Sequence, residues 1–549
     1  MQNKFLGIER KTYLHILILL ILSILTTIKA KISYDSFTNS NIPIYDGVIY
    51  QIQQIRRYEL FIGDFSWINR YSQAVYEFQG NYVSAAYSGF ITFFFPSFLK
   101  NDTDIFIRSL FSIFIFSLSI YVFFKDKIKP FKLIIILTTF LQFPVFYHHQ
   151  VGLGSYIPEL TASLILVSGF IFLLHFFSNF KFRYCFIGVV VMLLPITFRF
   201  NFFAYCFLFS LPPFLLFIKN WKNFDSILRK RILVFIPICI LLTGAYILYF
   251  FAPFYKYYTE TAYNYSYFSL AFSTMANNMN DYFNWVGFLA ILLILFSNDK
   301  IEKPLVNNSL IAYPFLIFFS FIILYLKSEN IPHINAAMAV FFSLVSFVSF
   351  PIFKTKFPKL FSDKKVVIYL SILIGCLNFS FINSLDEKKD SHLYKVQRNI
   401  ITFLTQKVNE NPQKLPTYLC VFEGMAEIPI NVGVYTKTNK LLTIPQSFYN
   451  HDIFYINSMK CDNANECFEH YLPVLTSVDY IMVNANNPKI NLFPIARSLN
   501  IKLKNYLHNN PKFEICKKIQ STFYGEVLIY RHKKLINEIR IGSHPLFGD

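Results

Sequence analysis

The sequence predicts a polytopic α-helical membrane protein with a smaller α/β domain at its C-terminal end, and three observations lead there. Of the 549 residues, 54% are hydrophobic and only 15% charged, whereas soluble domains carry about a quarter charged residues. The mean hydropathy is +0.41. Apolar runs of bilayer-crossing length recur along the chain as far as residue 384 and then stop. A soluble enzyme, a disordered chain and a fibrous protein are excluded by the same figures.

The runs lie at about 13–30, 105–124, 131–147, 157–176, 184–199, 202–218, 231–252, 283–298, 308–326, 334–353 and 366–383, which makes eleven expected spans. The first is not a cleavable signal, because Lys4, Arg10 and Lys11 precede it and no small-residue cleavage site follows. A further stretch, 85–99 (AAYSGFITFFFPSFL), is short and contains Pro96. It reads as re-entrant or interfacial, which keeps the number of crossings odd.

Charge sets the direction of these spans. The net charge is +19, which in a soluble protein would point to nucleic acid. Here the excess sits in short loops between apolar runs, as orientation signals do. The loops 1–12, 125–132, 177–183, 219–231, 299–307 and 354–365 together hold 21 Lys and Arg. The alternate short loops hold only Lys256 and Lys327, with Arg199 at a border. The expected N-terminus is therefore cytoplasmic. Two large pieces then face the other side, the loop 31–104 of the membrane unit 1–384 and the domain 385–549.

The cysteines agree with that placement. Cys185, Cys206, Cys239 and Cys376 fall in expected spans, and Cys420, Cys461, Cys467 and Cys516 fall in the tail. The tail cysteines are even in number, in a compartment where disulfides persist. A local bridge Cys461–Cys467 with a long bridge Cys420–Cys516 is one of the three pairings open to four cysteines. A zinc site competes, without a CxxC pair or neighbouring His pair to support it.

Within the tail, helical spacing at 391–408, 466–476 and 492–508 alternates with strand-like runs at 417–422, 478–484, 513–520 and 525–531. That alternation predicts a small layered sheet. No nucleotide-binding or serine-hydrolase motif occurs in it.

Candidate chemistry lies on the non-cytoplasmic side. The loop 31–104 is longer than a connector needs to be and carries Asp35, Asp46, Asp64 and Glu77 with Arg56, Arg57 and Arg70. A carboxylate at a membrane surface can act as general base, and Arg can hold a phosphate bidentately. Asp46 follows an apolar IPIY run and precedes VIYQIQQI. It reads either as a helix N-cap or as a carboxylate held at the membrane edge. His148, His149, Glu159, Arg199, Lys327, Glu329 and His333 fall near span ends on the same side, where charged groups are costly and often functional. The loop 253–283 is densely aromatic, as an interfacial belt or as a groove that stacks on sugar faces.

This arrangement resembles the GT-C superfamily of polyprenyl-phosphate-sugar-dependent glycosyltransferases, which includes protein O-mannosyltransferases and the aminoarabinose transferases of lipid A. Three features carry the resemblance. An early outer loop holds an acidic motif, here Tyr45-Asp46-Gly47 with Tyr50, where family members commonly have a second acid in place of Gly47. The loop leads into a span with Arg108, Phe114 and Tyr121 in the sequence LKNDTDIFIRSLFSIFIFSLSIYVFFKDK. Many spans then end in an outer α/β domain, whose last strands read FEICKKIQSTFYGEVLIYRHKK.

The resemblance implies Asp46 as catalytic base or acceptor-orienting carboxylate and Glu159 as a second acidic residue. It also implies Arg199, Lys327 and His333 as ligands of the lipid phosphate. The implied donor is a sugar on a polyprenyl phosphate in a bacterial cytoplasmic membrane, and the implied acceptor an extracytoplasmic glycan, lipid or protein. No nucleotide is needed outside the cell, and the sequence fixes no cofactor. A divalent metal is compatible with the chemistry, though no residue cluster demands one. The rival readings are a transporter or flippase of lipid-linked saccharides, which would be expected to show internal repeats, and a polysaccharide polymerase or ligase, which would place its largest outer loop late in the chain.

Overall fold

The computed structural model describes residues 4–5, 8–38, 103–126, 128–147, 152–154, 159–197, 202–249, 291, 387–420, 427–440, 442, 464–484, 494–521 and 525–533. These residues are mostly helical and divide into two units, the helices up to Tyr249 in one and the segments after Ser384 in the other.

A two-stranded hairpin, β1 (Lys4–Phe5) against β2 (Ile8–Glu9), precedes the first helix. The helices are α1 (Arg10–Thr38), α2 (Thr103–Phe124), α3 (Pro130–Phe140), α4 (Glu159–Asn179), α5 (Phe182–Leu193), α6 (Phe202–Asn220) and α7 (Ser226–Tyr249). Three of their segments are long and apolar enough to cross a membrane: Thr12–Asp35, Ile105–Phe124 and Glu159–Phe177. α4 is the centre of the unit, packed between α2 and α5, and nearly all its side chains are buried. Gly169 on α4 makes the α5 side possible. A Cβ there would lie 2.4 Å from the backbone nitrogen of Met192, so only glycine lets the two backbones approach this closely. Near the C-terminal end of α4, Phe176 stacks on Phe217 of α6 at 5.4 Å and packs against Phe224 in the turn that follows α6.

Several hydroxyls inside these apolar helices find a partner on their own helix. Ser23, Thr27, Ser112 and Ser168 each donate to the carbonyl four residues earlier, the local partner that hydrocarbon surroundings favour.

Two of the expected spans are not continuous α-helices. The run 131–147 is not one helix: α3 has 11 residues, about 16 Å of rise, and gives way to a 3-10 turn at Pro144–Phe146. The cause is Pro144, which lacks an N–H and pushes Phe143 into the extended region (φ −62°, ψ 142°). The run 184–199 likewise changes from α5 to a 3-10 turn at Leu194–Thr197, over Pro195. The outer loop expected from residue 31 also begins later, because α1 continues through Thr38. The loop residues 39–102, the aromatic loop 253–283 and the four expected spans after it lie outside the described residues, Ile291 apart; α2 takes in the last two residues of the expected loop.

The second unit contains α8 (Glu387–Glu410), β3 (Tyr418–Cys420), α9 (Glu427–Thr438), α10 (Ala464–Leu475), β4 (Tyr480–Asn484), α11 (Pro494–Asn509), β5 (Phe513–Ser521) and β6 (Gly525–His532). The sheet order is β3-β4-β6-β5. β3 and β4 are parallel, joined by a crossover that includes α9 and α10, and β6 runs antiparallel to both its neighbours. Segments that leave the helices and strands are fixed by side chains acting as extra backbone. Asn500 receives the Asn484 N–H and donates to its carbonyl at 3.2 and 2.7 Å, and Asn431 does the same for Leu442. Asp479 accepts from both the backbone N–H and the hydroxyl of Thr417, which holds β3 in register with β4. The helix α9 is absent from the sequence reading, since Pro429 and Gly433 break its pattern; it is held by packing on α8.

Candidate functional site

Contacts between helices fix which of their ends lie together. His15 on α1 and Tyr121 on α2 share a hydrogen bond of 2.9 Å, and Phe123 on α2 meets His175 on α4 with ring centroids 6.5 Å apart. The start of α1 and the ends of α2 and α4 therefore share one end of the unit. The opposite end gathers the end of α1, the first turns of α2 and α4, and the segment between α3 and α4.

That opposite end is tied together by polar contacts. Ser109 on α2 donates to the Leu153 carbonyl at 2.6 Å, and the Leu153 N–H donates to the Phe146 carbonyl at 2.9 Å. Ser33 on α1 donates to the Tyr147 carbonyl at 3.4 Å. Gly154 passes so close to α1 that a Cβ would lie 2.6 Å from the Ala30 carbonyl oxygen and 2.7 Å from Tyr34 Cβ. A side chain there would push the connection off the helix.

Three charged side chains sit in this polar collar. Glu159 opens α4 and is 5% exposed. An acidic residue in a first helical turn is favoured by the helix dipole, but burying a carboxyl is costly without compensation, so its position is not explained by helix formation alone. Arg108, in the second turn of α2, is 4% exposed. Its guanidinium is a fixed cation with five donors. Lys29 reaches across from α1, donating to Gln142 Oε1 at 2.7 Å with its ammonium 4.3 Å from the centre of the Tyr147 ring. The Tyr147 hydroxyl donates in turn to the Leu141 carbonyl at 2.7 Å. Nearby, Lys31 pairs with Asp35 at 2.6 Å.

Of the residues the sequence singles out, the structure brings Glu159 to this end. Asp46, Arg56, Arg57, Arg70, Arg199, Lys327 and His333 lie outside the described residues, as do His148 and His149. Of the motif residues, Arg108 belongs to the collar, whereas Tyr121 ties α2 to α1 at the far end, about 20 Å along the helix. Lys29 and Gln142 were not anticipated. The signal for Lys29 was present in the sequence, as a lone cation inside the first apolar run.

The tail corrects one disulfide reading. Cys420 and Cys516 are free thiols. Cys420 lies on β3 and Cys516 on β5, at opposite edges of the sheet. Three strand spacings of about 4.8 Å separate them, twice the Cα separation of about 7 Å that a disulfide tolerates. The Cys516 thiol donates instead to the Ile529 carbonyl at 3.3 Å, and burial of its sulfur pushes the thiol above its ordinary range. Cys461 and the side chain of Cys467 lie outside the described residues.

Among the described residues no three His, Cys, Asp or Glu side chains come together as a metal-binding group. No protein-family model matches the chain, and no curated protein matches it.

Proposed function

We propose that this chain is an integral-membrane glycosyltransferase that moves a sugar from a polyprenyl-phosphate carrier to an extracytoplasmic acceptor. The supporting observation is the polar collar. It combines a buried carboxyl (Glu159), a buried guanidinium (Arg108), an ammonium (Lys29) and the N-terminal turns of α2 and α4 at one end of apolar helices. Helix N-termini and guanidinium groups favour phosphate. A lipid-linked phosphate meets such an end with its tail in hydrocarbon and its head among the cations.

In the full reading, eleven spans place the N-terminus in the cytoplasm and this collar with the tail on the outer side of a bacterial cytoplasmic membrane. Asp46 takes the proton of the acceptor hydroxyl or amine as its oxygen or nitrogen attacks the anomeric carbon. The bond from that carbon to the phosphate oxygen breaks, and polyprenyl phosphate leaves. Arg56, Arg57, Arg70, Arg199, Lys327 and His333, with Arg108, steady the leaving charge. Glu159 orients the group that faces Asp46. A single displacement inverts the anomeric configuration.

The test is sugar transfer in membranes supplied with a radiolabelled polyprenyl-phosphate-sugar pool. Wild type is expected to consume donor. Asp46→Asn and Glu159→Gln should each lower transfer by about 100-fold or more at equal expression, while Asp64→Asn leaves it unchanged. Donor that is never consumed, with lipid-linked saccharide changing leaflet instead, would replace the transferase by a transporter.

A further inference from the structure

The second unit holds a cleft that the proposed chemistry does not use. It has a volume of about 410 Å³ and lies between α11 and the β5–β6 hairpin. From the helix come Lys504, Asn505, His508 and Asn509, and from the strands Ile515, Lys518, Glu526 and Leu528. The four helix positions are spaced i, i+1, i+4 and i+5, so they form one stripe of a single face.

On the strand side, the arrangement depends on a bulge. Ile515 and Lys518 are three residues apart and in a regular strand would point to opposite faces of the sheet. The ladder between β5 and β6 slips between Ile515 and Lys517: Ile515 pairs with Tyr530, and Lys518 with Leu528. Tyr530 and Leu528 are two residues apart and share a face. The extra residue, Cys516, therefore turns Lys518 onto the face that Ile515 occupies, toward α11. Lys517 is left on the other face, over the Phe403 ring of α8 at 5.4 Å. Glu526 is held in place by Gln520, which donates to it at 3.0 Å, and lies 4.0 Å from Lys518. The floor is apolar (Ile515, Leu528), and the rim carries two amides, an imidazole, two ammonium groups and the Glu526 carboxylate, a net positive charge of one with the imidazole neutral.

We propose that this cleft binds a sugar unit bearing an acidic group. The apolar floor suits the face of a pyranose ring, the Asn505 and Asn509 amides suit its hydroxyls, and Lys504 and Lys518 suit its negative charge. The choice of a sugar rests on the transferase reading, with the cleft as a docking point for an acidic glycan acceptor; the attraction for an anion rests on the cleft alone.

The experiment is saturation-transfer NMR on the full chain in detergent, with glucuronate, glucose and inorganic phosphate as probes. Glucuronate is expected to bind, phosphate to compete with it weakly, and glucose to bind at least tenfold less tightly. Lys504→Gln and Lys518→Gln should each weaken glucuronate about tenfold. Glu526→Gln removes a carboxylate from the cleft and should tighten glucuronate several-fold, a gain that a misfolded variant cannot produce. Equal binding of glucose and glucuronate, phosphate displacing glucuronate at equal or lower concentration, no binding of any probe, or variants that leave glucuronate unchanged would each overturn the proposal. Because binding and not transfer is measured, failure here leaves the transferase reading standing, and loss of transfer in Asp46→Asn leaves this one standing.

Discussion

The two units of this chain solve the same problem, satisfying polar groups while burying apolar ones, in opposite solvents. In the helical unit the hydroxyls within the spans turn back on their own helix, as Ser23, Thr27 and Ser168 do, the cross-helix ties such as Ser109 to Leu153 and His15 to Tyr121 are kept to the helix ends, and large apolar side chains lie on the outside, Leu25 at 59% exposure and Leu17 at 51%. In the second unit side chains bond across long stretches of sequence, as Asp479 does with Thr417 and Asn500 with Asn484. There, among the described residues, Ile501 is the one exposed large hydrophobic. Water rewards long-range polar ties and a polar exterior. Hydrocarbon rewards backbone satisfaction within the helix and an apolar exterior.

The comparison can be broken most sharply by making the same substitution on both sides. Leu25→Asp puts a charge on the outer face of a helix meant for lipid, at a cost of about 3 kcal/mol near the middle of a span. Its membrane-inserted fraction should fall well below wild type in carbonate-washed membranes. Ile501→Asp, on the exterior of the second unit, should change the denaturation midpoint by no more than about 0.5 kcal/mol. Equal penalties at the two sites would remove the distinction between the exteriors.

A smaller effect sharpens the water-facing side. Glu410 is exposed, and the hydrogen bond from Lys407 at 2.6 Å holds its carboxyl below the usual range. A carboxylate lowered on folding adds stability above its unfolded pKa and loses it as the pH falls through the folded value. The difference in denaturation midpoint between wild type and Glu410→Gln should be slight at neutral pH and vanish in acid. A difference that grew on acidification would contradict the pairing.

How much was legible follows from which forces are local. The helices appear on the apolar runs because length and hydropathy are summed along the chain, and the breaks at Pro144 and Pro195 follow from residues visible in the sequence. The strands β4, β5 and β6 lie on β-branched and aromatic runs for the same reason. Glu159 could be found as an acid at the start of an apolar run. Strand order could not, and the Cys420–Cys516 pairing failed with it. Nor could the bulge at Cys516, which exists only as a mismatch between two paired strands. The clamp of Lys29 by Gln142 and Tyr147 joins residues more than a hundred positions apart, a relation that no local spacing encodes.

The central claim is that the collar around Glu159 and the second unit face the same, non-cytoplasmic compartment, where a lipid-linked donor and an acceptor can meet. The direct measurement is labelling by a membrane-impermeant maleimide in intact cells, in a chain whose eight native cysteines are replaced by serine, with single cysteines introduced by Asp35→Cys beside the collar, Lys512→Cys in the second unit and Lys222→Cys in the turn between α6 and α7. The account predicts labelling at 35 and 512 in intact cells, and at 222 only after permeabilisation. Positions 35 and 512 labelling from opposite sides would contradict it.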